Sequence, residues 1–205
     1  MAIERQKLDD PNSKPITGAE YVDNLEAVLK RKIYLVNCWL AITSYIGYTK
    51  GYKMVDEALR DDGIQEIVKK AVNESATALE KKFGFTRDEM NHYINEMITK
   101  RYDDYNQIGI NDPIARVARQ PIRKLSPDDR IMGPAYIAFD YDLPNDHLLY
   151  GAAYAFKYDN PEDEESVKLQ EYIKNDGIEE TIERITGLKK ESAMFKKILE
   201  SYHTI

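Results

Sequence analysis

The 205-residue chain is predicted to be all-α, a multi-helix bundle. Apolar residues recur at helical spacing along most of the chain, and helix-capping signals separate the periodic segments. We find no credible sheet and no internal repeat. Apolar residues make up 42% of the chain and charged residues 32%, a balance typical of a folded domain rather than a disordered chain.

Residues 1–18 are expected to form an N-terminal arm, since they hold two prolines, a glycine and no sustained periodicity. Residues 19–205 are then one helical domain. Its first helix is expected from Glu20 onward. A second one, over Ile33 to Tyr48, is apolar nearly all round and should be the buried centre of the bundle. Lys32 and Asn37 must then lie either at its solvent end or inside a cavity.

Signals at the helix ends predict the later helices. Two helices are expected over Met54–Leu59 and Ile64–Phe83, the second ended by Gly84, and a third begins at the capping box of Thr86 and Glu89. Ser126-Pro127-Asp128-Asp129 is expected to open a helix over Ile131–Phe139, Pro144 and Pro161 each open one more, and Gly177 and Gly187 separate the last two helices.

Charge and cysteine content narrow the function class. A formal net charge of -7 and a pI of about 5.1 oppose attraction to nucleic acid or to an anionic membrane. The one cysteine, Cys38, stands among apolar neighbours and is expected to be a buried, inert thiol. With no apolar stretch of about 20 residues, these features predict an unexported, cytoplasmic protein without a membrane span.

Familiar cofactor and metal motifs are missing from the sequence. There is no glycine-rich dinucleotide fingerprint and no phosphate loop, so no NAD-binding Rossmann domain is expected in this chain. The three histidines, His92, His147 and His203, lack the spacing of a metal pair and are expected at helix ends or on the surface. No metal site is therefore predicted.

The run Lys30-Arg31-Lys32-Ile33-Tyr34-Leu35-Val36-Asn37-Cys38-Trp39-Leu40 places a lysine and an asparagine five residues apart in an apolar, helix-like segment. Lys32 and Asn37 suit proton transfer at a hydroxyl or carbonyl group. Two structural alternatives stay open. The basic triplet can be a solvated helix end, and Asn37 can be a polar residue bonded to backbone.

A second run contrasts with the acidic chain around it. Arg116, Arg119, Arg123 and Lys124 place four cations within nine positions of a proline-interrupted segment. Guanidinium groups bind phosphate or carboxylate in bidentate fashion, so a small anionic ligand is a reasonable inference. The alternative is that these cations pair with carboxylates of the domain, such as those that follow in the run at positions 128 and 129.

The two runs resemble the C-terminal domain of the polyol-specific long-chain dehydrogenases, the mannitol dehydrogenase family, and within it the members specific for mannitol 1-phosphate. The likeness extends over nearly the whole chain, through residues 21–26, 31–37, 42–47, 82–85 and 116–130. It implies a helical fold like the C-terminal domain of 6-phosphogluconate dehydrogenase. It also implies NAD as cofactor, bound mainly by a separate Rossmann domain or chain.

The resemblance also implies roles for the site residues. Lys32 would be the base that takes the alcohol proton, and Asn37 would hold the developing alkoxide. Arg116 and Lys124, helped by Arg119 and Arg123, would bind substrate oxygens or the sugar phosphate. A lysine desolvated in an apolar helix would have its pKa lowered towards neutral pH, which suits a base.

The implied function is the substrate-binding and catalytic-base domain of an NAD-dependent oxidoreductase that interconverts mannitol 1-phosphate and fructose 6-phosphate. The sequence departs from the family where a histidine is expected, since Leu40 stands there, and it has Trp39 in place of a small residue. Losing a positioned polar group costs such a site roughly a hundredfold in rate. The alternative function is a non-catalytic relative that binds a sugar phosphate or acts as a helical interaction module.

Overall fold

A computed structural model describes residues 2–100 and 112–205 of the chain. The first range contains strands β1 (Ala2–Glu4) and β2 (Glu20–Val22), a short 3-10 turn (Arg5–Lys7), and helices α1 (Leu25–Lys32), α2 (Cys38–Thr49), α3 (Val55–Leu59), α4 (Asp62–Phe83) and α5 (Arg87–Ile94). Two π-helical turns, Ile33–Asn37 and Asn95–Thr99, continue α1 into α2 and extend α5.

The second range is also helical. It contains α6 (Ile114–Ala118), α7 (Pro121–Lys124), α8 (Met132–Asp140), α9 (Asp146–Phe156), α10 (Glu164–Asp176), α11 (Ile178–Thr186) and α12 (Ala193–Thr204). The prediction of an all-α fold is confirmed. In the described ranges, no helix is both long enough and apolar enough to cross a membrane.

The structure of the N-terminal segment differs from the prediction in two details. β1 and β2 pair in parallel, Ala2 opposite Glu20, so a two-stranded sheet exists where none was expected. Because Glu20 lies in this pair, the first helix does not begin there. It begins at Leu25, where the side chain of Asn24 accepts a hydrogen bond from the Ala27 N–H at 2.9 Å.

Helix α2 is the buried centre of the bundle, as its all-round apolar sequence predicts. It packs against α3, α4, α6 and α9. Gly151 allows the approach of α9, because a Cβ on this residue would lie 2.7 Å from Cδ1 of Ile42. The Cys38 thiol is buried on α2, and its pKa is raised by that burial.

The predicted capping signals around α4 and α5 are confirmed. Gly84 ends α4 in the left-handed region, at φ 76°, and satisfies a carbonyl of the last turn. Thr86 and Glu89 form the capping box of α5, with the Glu89 carboxylate accepting from the Thr86 N–H at 2.7 Å. Gly177 and Gly187 likewise flank α11 with positive φ.

One predicted helix cap is wrong, and one predicted helix start is too early. Helix α8 begins at Met132, one residue after the predicted Ile131, but residues 126–129 do not cap it. Their polar groups serve other elements: the Asp128 carbonyl accepts from the Tyr34 hydroxyl, and the Asp129 carboxylate bonds Arg130. Helix α10 begins at Glu164, three residues beyond Pro161, because the side chain of Asp163 provides its N-cap.

The N-terminus of α9 is capped from another helix. The buried carboxylate of Glu74 on α4 accepts hydrogen bonds from the N–H groups of His147 and Leu148, both at 3.0 Å, and contacts Nδ1 of His147 at 2.7 Å. Helix N-termini leave N–H groups unpaired and attract negative charge, so Glu74 serves as the cap. His147 stands at a helix end, as predicted.

Candidate functional site

One wall of the candidate site comes from the α1–α2 segment. The π-helical turn Ile33–Asn37 hydrogen-bonds each carbonyl five residues ahead, as Cys38 N–H does to the carbonyl of Ile33. Residues five apart therefore stand closer to one face than in an α-helix, where about 140° separates them. Helix α4 supports the turn, because the Ser75 hydroxyl donates to the carbonyl of Tyr34 at 2.6 Å. The turn thus reduces the rotation between Lys32 and Asn37.

The two residues differ in their surroundings. Asn37 is half-buried and lines a cleft, and in the described ranges its amide has no hydrogen-bond partner. Lys32 is exposed and does not line that cleft. The expectation that its own helix desolvates Lys32 is wrong for this chain, because the side chain stands at the solvent side of α1.

The rest of the basic triplet is not a simple solvated helix end. The Arg31 guanidinium stacks on aromatic rings, 4.2 Å from the Tyr93 centroid and 5.1 Å from that of Phe85. The Lys30 ammonium donates to the Tyr34 hydroxyl at 2.8 Å. Lys32 is thus the exposed member of the triplet, while its two neighbours have structural contacts.

The opposite wall comes from α6, α7 and the turn between them. At Gln120 the backbone takes a left-handed conformation, with φ 62° and ψ 57°, which costs a non-glycine residue about 1–2 kcal/mol. Two carboxylates hold this turn: Asp163 accepts from the Gln120 N–H at 2.8 Å, and Glu165 accepts from the Arg123 N–H at 2.9 Å. The start of α10 therefore fixes how α7 presents its cations.

Lys124 is the buried member of this wall. Only 2% of the residue is exposed, and its ammonium donates to the backbone carbonyls of Val117 and Arg119. The ammonium also lies 5.9 Å from the centroid of the Tyr45 ring. Burial, followed by the positive charges of Arg130 and Arg123, lowers the pKa of Lys124 to about 7.

The two walls enclose a cleft of about 200 Å³. Its lining joins the two sequence runs and consists of Asn37, Leu40, Ala41, Asp112, Arg116, Val117, Arg119, Arg123, Lys124 and Arg130. All four predicted substrate-binding cations therefore meet Asn37 at one place, although nearly eighty residues separate the two runs. Lys32 is the one predicted site residue that this cleft leaves out.

Carboxylates balance part of the positive charge. Arg116 pairs with Asp112, and Asp129 pairs with both Arg123, at 3.4 Å, and Arg130, at 2.6 Å. The alternative in which the cations pair within the domain is therefore partly correct. Five cationic side chains still face the cleft alongside one lining carboxylate, so the cleft favours an anion.

Leu40 and Trp39 lie on different sides of α2. Leu40 lines the cleft, so an apolar side chain occupies its wall where the resemblance calls for histidine. Trp39 is buried and lines a separate, more apolar cavity of about 420 Å³ with Leu59, Val72 and Ile98. The tryptophan therefore does not crowd the cleft.

The sequence reasoning missed Arg130 and Asp112 as lining residues. Arg130 ends the most characteristic run of the chain and, like the four predicted cations, contrasts with the acidic composition, so charge contrast extended by six residues would have included it. Asp112 carries no such signal. Within the described ranges, no group of three or more histidine, cysteine or acidic side chains is arranged to hold a metal ion.

Residues 24–205 match the mannitol dehydrogenase C-terminal domain family. The chain is 41% identical over 187 residues to a mannitol-1-phosphate 5-dehydrogenase of Thermoanaerobacter pseudethanolicus, which covers 91% of this chain and 47% of that protein. It is 38% identical over 203 residues to the enzyme of the same name from an Exiguobacterium species, covering 99% of this chain and 52% of the relative. The chain thus spans about half the length of the relatives it matches.

Two solved structures share the fold. Mannitol 2-dehydrogenase of Pseudomonas fluorescens, in a ternary complex with NAD and D-mannitol, superimposes with a TM-score of 0.72 at 16% identity, over 99% of this chain and 43% of that one. A substrate-free D-sorbitol dehydrogenase gives a TM-score of 0.69 at 14% identity, over 92% and 40% of the two chains. With the family match over nearly all of its length, the chain belongs to the mannitol dehydrogenase family and corresponds to its helical C-terminal domain.

Proposed function

We propose that this chain is the substrate-binding and catalytic-base domain of an NAD-dependent dehydrogenase that interconverts mannitol 1-phosphate and fructose 6-phosphate. It works with a nucleotide-binding Rossmann domain, on the same or another polypeptide. One observation carries the proposal: a single cleft brings Asn37 together with Arg116, Arg119, Arg123 and Lys124. A polar group for a reacting oxygen and a cationic site for a phosphate are what this substrate requires.

In this proposal Lys32 takes the proton of the alcohol and Asn37 donates to the alkoxide oxygen as negative charge develops. The π-helical turn supports these roles, because its five-residue hydrogen bond brings Lys32 and Asn37 closer to one face than an α-helix would. A second domain that covers this face would remove water from Lys32. Desolvation of that kind lowers the pKa of a lysine, as a base near neutral pH requires.

The cationic wall would orient the substrate. The guanidinium groups of Arg116, Arg119 and Arg123 and the ammonium of Lys124 can bind phosphate and hydroxyl oxygens. NAD, when bound, supplies the hydride acceptor. In the described ranges the chain offers no phosphate loop, so the cofactor would be held mainly by the Rossmann domain.

The proposal also includes a cytoplasmic location and excludes nucleic acid and membrane as partners. A single buried cysteine fits a reducing compartment, and a net charge of -7 disfavours polyanionic partners.

The test is a fused enzyme in which this chain follows the N-terminal half of the Thermoanaerobacter pseudethanolicus relative. We expect NADH to form from mannitol 1-phosphate and NAD, and Asn37→Ala to lower kcat by roughly a hundredfold. Asn91→Ala, an asparagine that lines the separate apolar cavity, is the matched control and should leave kcat unchanged. The proposal would be refuted if the fused enzyme folds but forms no NADH and calorimetry shows that the unfused chain binds no sugar phosphate.

Binding without turnover is the second candidate function, and Leu40 favours it. This leucine lines the cleft at the position where the family resemblance places a histidine, and leucine can neither donate nor accept a hydrogen bond. The cations and Asn37 are present nonetheless, which supports a ligand-binding role. Such a chain would bind the sugar phosphate and transfer no hydride.

Leu40→His in the fused enzyme separates the two functions. If the histidine alone is missing, kcat should rise by roughly a hundredfold, with sugar-phosphate affinity nearly unchanged. Ala41→Ser, which adds a hydroxyl at the neighbouring lining position, is the control for a general increase in polarity. An active parent enzyme favours the dehydrogenase, whereas phosphate binding with no turnover in either protein favours the binding module.

A further inference from the structure

Arg130 is the fifth cation of the cleft lining, beside Arg116, Arg119, Arg123 and Lys124. Only 16% of its side chain is exposed, compared with 60% for Arg116 and 46% for Arg123. It lines the cleft and follows the sequence Lys124-Leu125-Ser126-Pro127-Asp128-Asp129, which carries the chain from α7 to α8. Arg130, which is half-buried, and the buried Lys124 are the two least exposed cations of the lining, and we call their part of the cleft its inner end.

One carboxylate fixes the orientation of Arg130. Oδ1 of Asp129 accepts from the Nε–H of Arg130 and from its backbone N–H, each at 2.6 Å. The other carboxylate oxygen lies 3.4 Å from Nη1 of Arg123. Asp129 therefore holds two arginines of the cleft, and Arg130 uses only the Nε edge of its guanidinium for this contact.

The remaining edge of Arg130 is available to a ligand. Among residues 2–100 and 112–205, neither terminal nitrogen of Arg130 has a hydrogen-bond partner, and neither is enclosed by protein atoms. Two parallel N–H groups on a fixed guanidinium match two oxygens of a phosphate. Asp129 fixes the guanidinium in advance, which reduces the loss of side-chain freedom on binding.

The charges around Arg130 identify which part of the cleft it serves. Its positive charge works to lower the pKa of three buried residues, Lys124, Cys38 and Tyr45, and so acts on the least exposed part of the site. The carboxylates of Asp129 and Asp163 offset part of the positive charge of Arg130 and Lys124, since both act on Lys124. Low exposure strengthens the attraction of such a pair for an anion.

We propose that Arg130 is a further anion-binding residue, whose two Nη groups bind the phosphate of the substrate beside Lys124 at the inner end of the cleft. The inference rests on the proposed function and assigns the preference for a phosphorylated over an unphosphorylated polyol to this arginine. The outer arginines then serve mainly to attract the substrate and to bind its remaining oxygens.

The test uses the unfused chain and calorimetry with three ligands: mannitol 1-phosphate, inorganic phosphate and mannitol. Arg130→Gln should weaken binding of both phosphates by at least tenfold and change mannitol binding by less than twofold. Arg130→Lys keeps the charge without the two-pronged geometry and should give an intermediate loss. Arg184→Gln removes a surface arginine that pairs with Asp176 away from the cleft, and should change none of the three.

Thermal unfolding of each variant checks that the fold is kept, and Arg130→Lys retains a long side chain in case the glutamine variant unfolds. Suppose that the wild-type chain binds mannitol 1-phosphate and that Arg116→Gln weakens this binding. If Arg130→Gln and Arg130→Lys then both bind within twofold of wild type, this inference is overturned and the proposed function stands. No binding of either phosphate to the wild-type chain, with no turnover in the fused enzyme, overturns both.

Discussion

The two walls of the cleft differ in how well contacts within this chain fix their polar side chains. On the α6–α7 wall, Lys124 is buried against two carbonyls, and Asp163 and Glu165 hold the turn that presents the arginines. On the α1–α2 wall, Asn37 has no hydrogen-bond partner in the described ranges, and Lys32 is exposed. The wall proposed to bind the anion is preorganised within this domain, whereas the wall proposed to carry the reaction depends on what covers Lys32.

The largest expected effect tests the reaction wall alone. In the fused enzyme, Lys32→Met should lower kcat by about 10²–10⁴, because it removes the proposed base. Calorimetry of the unfused variant should show sugar-phosphate affinity within twofold of wild type, since Lys32 does not line the cleft. Lys81→Met, another exposed lysine, is the control and should alter neither quantity. Full turnover by the Lys32 variant would remove this residue from the mechanism.

The next largest effect tests the binding wall. At pH 6, below the pKa of about 7 where Lys124 is charged, Lys124→Met should weaken sugar-phosphate binding by about 30- to 100-fold, because it removes a buried, hydrogen-bonded charge. The matched control is Lys157→Met, which removes a half-buried lysine whose ammonium lies 4.0 Å from the Tyr202 ring centroid, outside the cleft. Equal affinities of the two variants would show that the preorganised wall does not bind the ligand.

A pH series examines the same lysine without a ligand. The pKa of Lys124 is lowered to about 7 in the folded chain, against about 10.4 for an unfolded lysine, so the unfolded state binds more protons between these values. Its contribution to the free energy of unfolding therefore rises with pH in this window and is flat below pH 7, where both states are protonated. The difference between wild type and Lys124→Met should grow by about 2–3 kcal/mol from pH 6 to pH 9.

Chemical denaturation of both proteins at several pH values measures this difference. The comparison cancels groups common to the two, including the tyrosines that titrate at higher pH. A difference that stays constant between pH 6 and pH 9 would mean that Lys124 keeps an ordinary pKa despite its burial.

The smallest effect concerns the support behind the binding wall. Asp163→Ala removes both the N-cap of α10 and the bond to Gln120, and should lower the free energy of unfolding by about 2 kcal/mol. Sugar-phosphate affinity should fall a few-fold, because the α6–α7 turn loses one of its two holds. Ser192→Ala removes the N-cap of α12 alone, far along the chain, and should cost about 1 kcal/mol with unchanged affinity.

Much of the fold could be predicted from the sequence, because many of its signals are local. Gly84, the capping box of Thr86 and Glu89, and the glycines around α11 act within a few residues of where they stand. The cap of α8 could not be predicted this way. Its apparent cap, residues 126–129, bonds instead to Arg123 and to Tyr34, and the contact with Tyr34 is a long-range one that local propensity does not contain.

The candidate site follows the same division. Charge contrast makes the four cations candidates, the family resemblance implies their role, and the cleft brings all four together with Asn37. The exposure of Lys32 could not be predicted from the sequence around it. An apolar run does not determine whether a single charged residue within it faces the solvent or the protein. The burial of Lys124 was equally hidden, since its partners are backbone carbonyls of its own neighbourhood.

The π-helical turn at Ile33–Asn37 joins α1 and α2 into one continuous helix but changes the direction in which the side chains of α2 point relative to those of α1. In an ordinary helix each residue adds about 100°, so the surplus residue of the turn shifts the phase of α1 relative to α2 by that angle. If one residue were deleted from the turn, Asn37 and Arg31 could not both keep their positions. Keeping Asn37 in the cleft would rotate Arg31 away from the rings of Tyr93 and Phe85. A single extra residue therefore lets Arg31 pack on two aromatic rings in one half of the helix while Asn37 lines the cleft in the other.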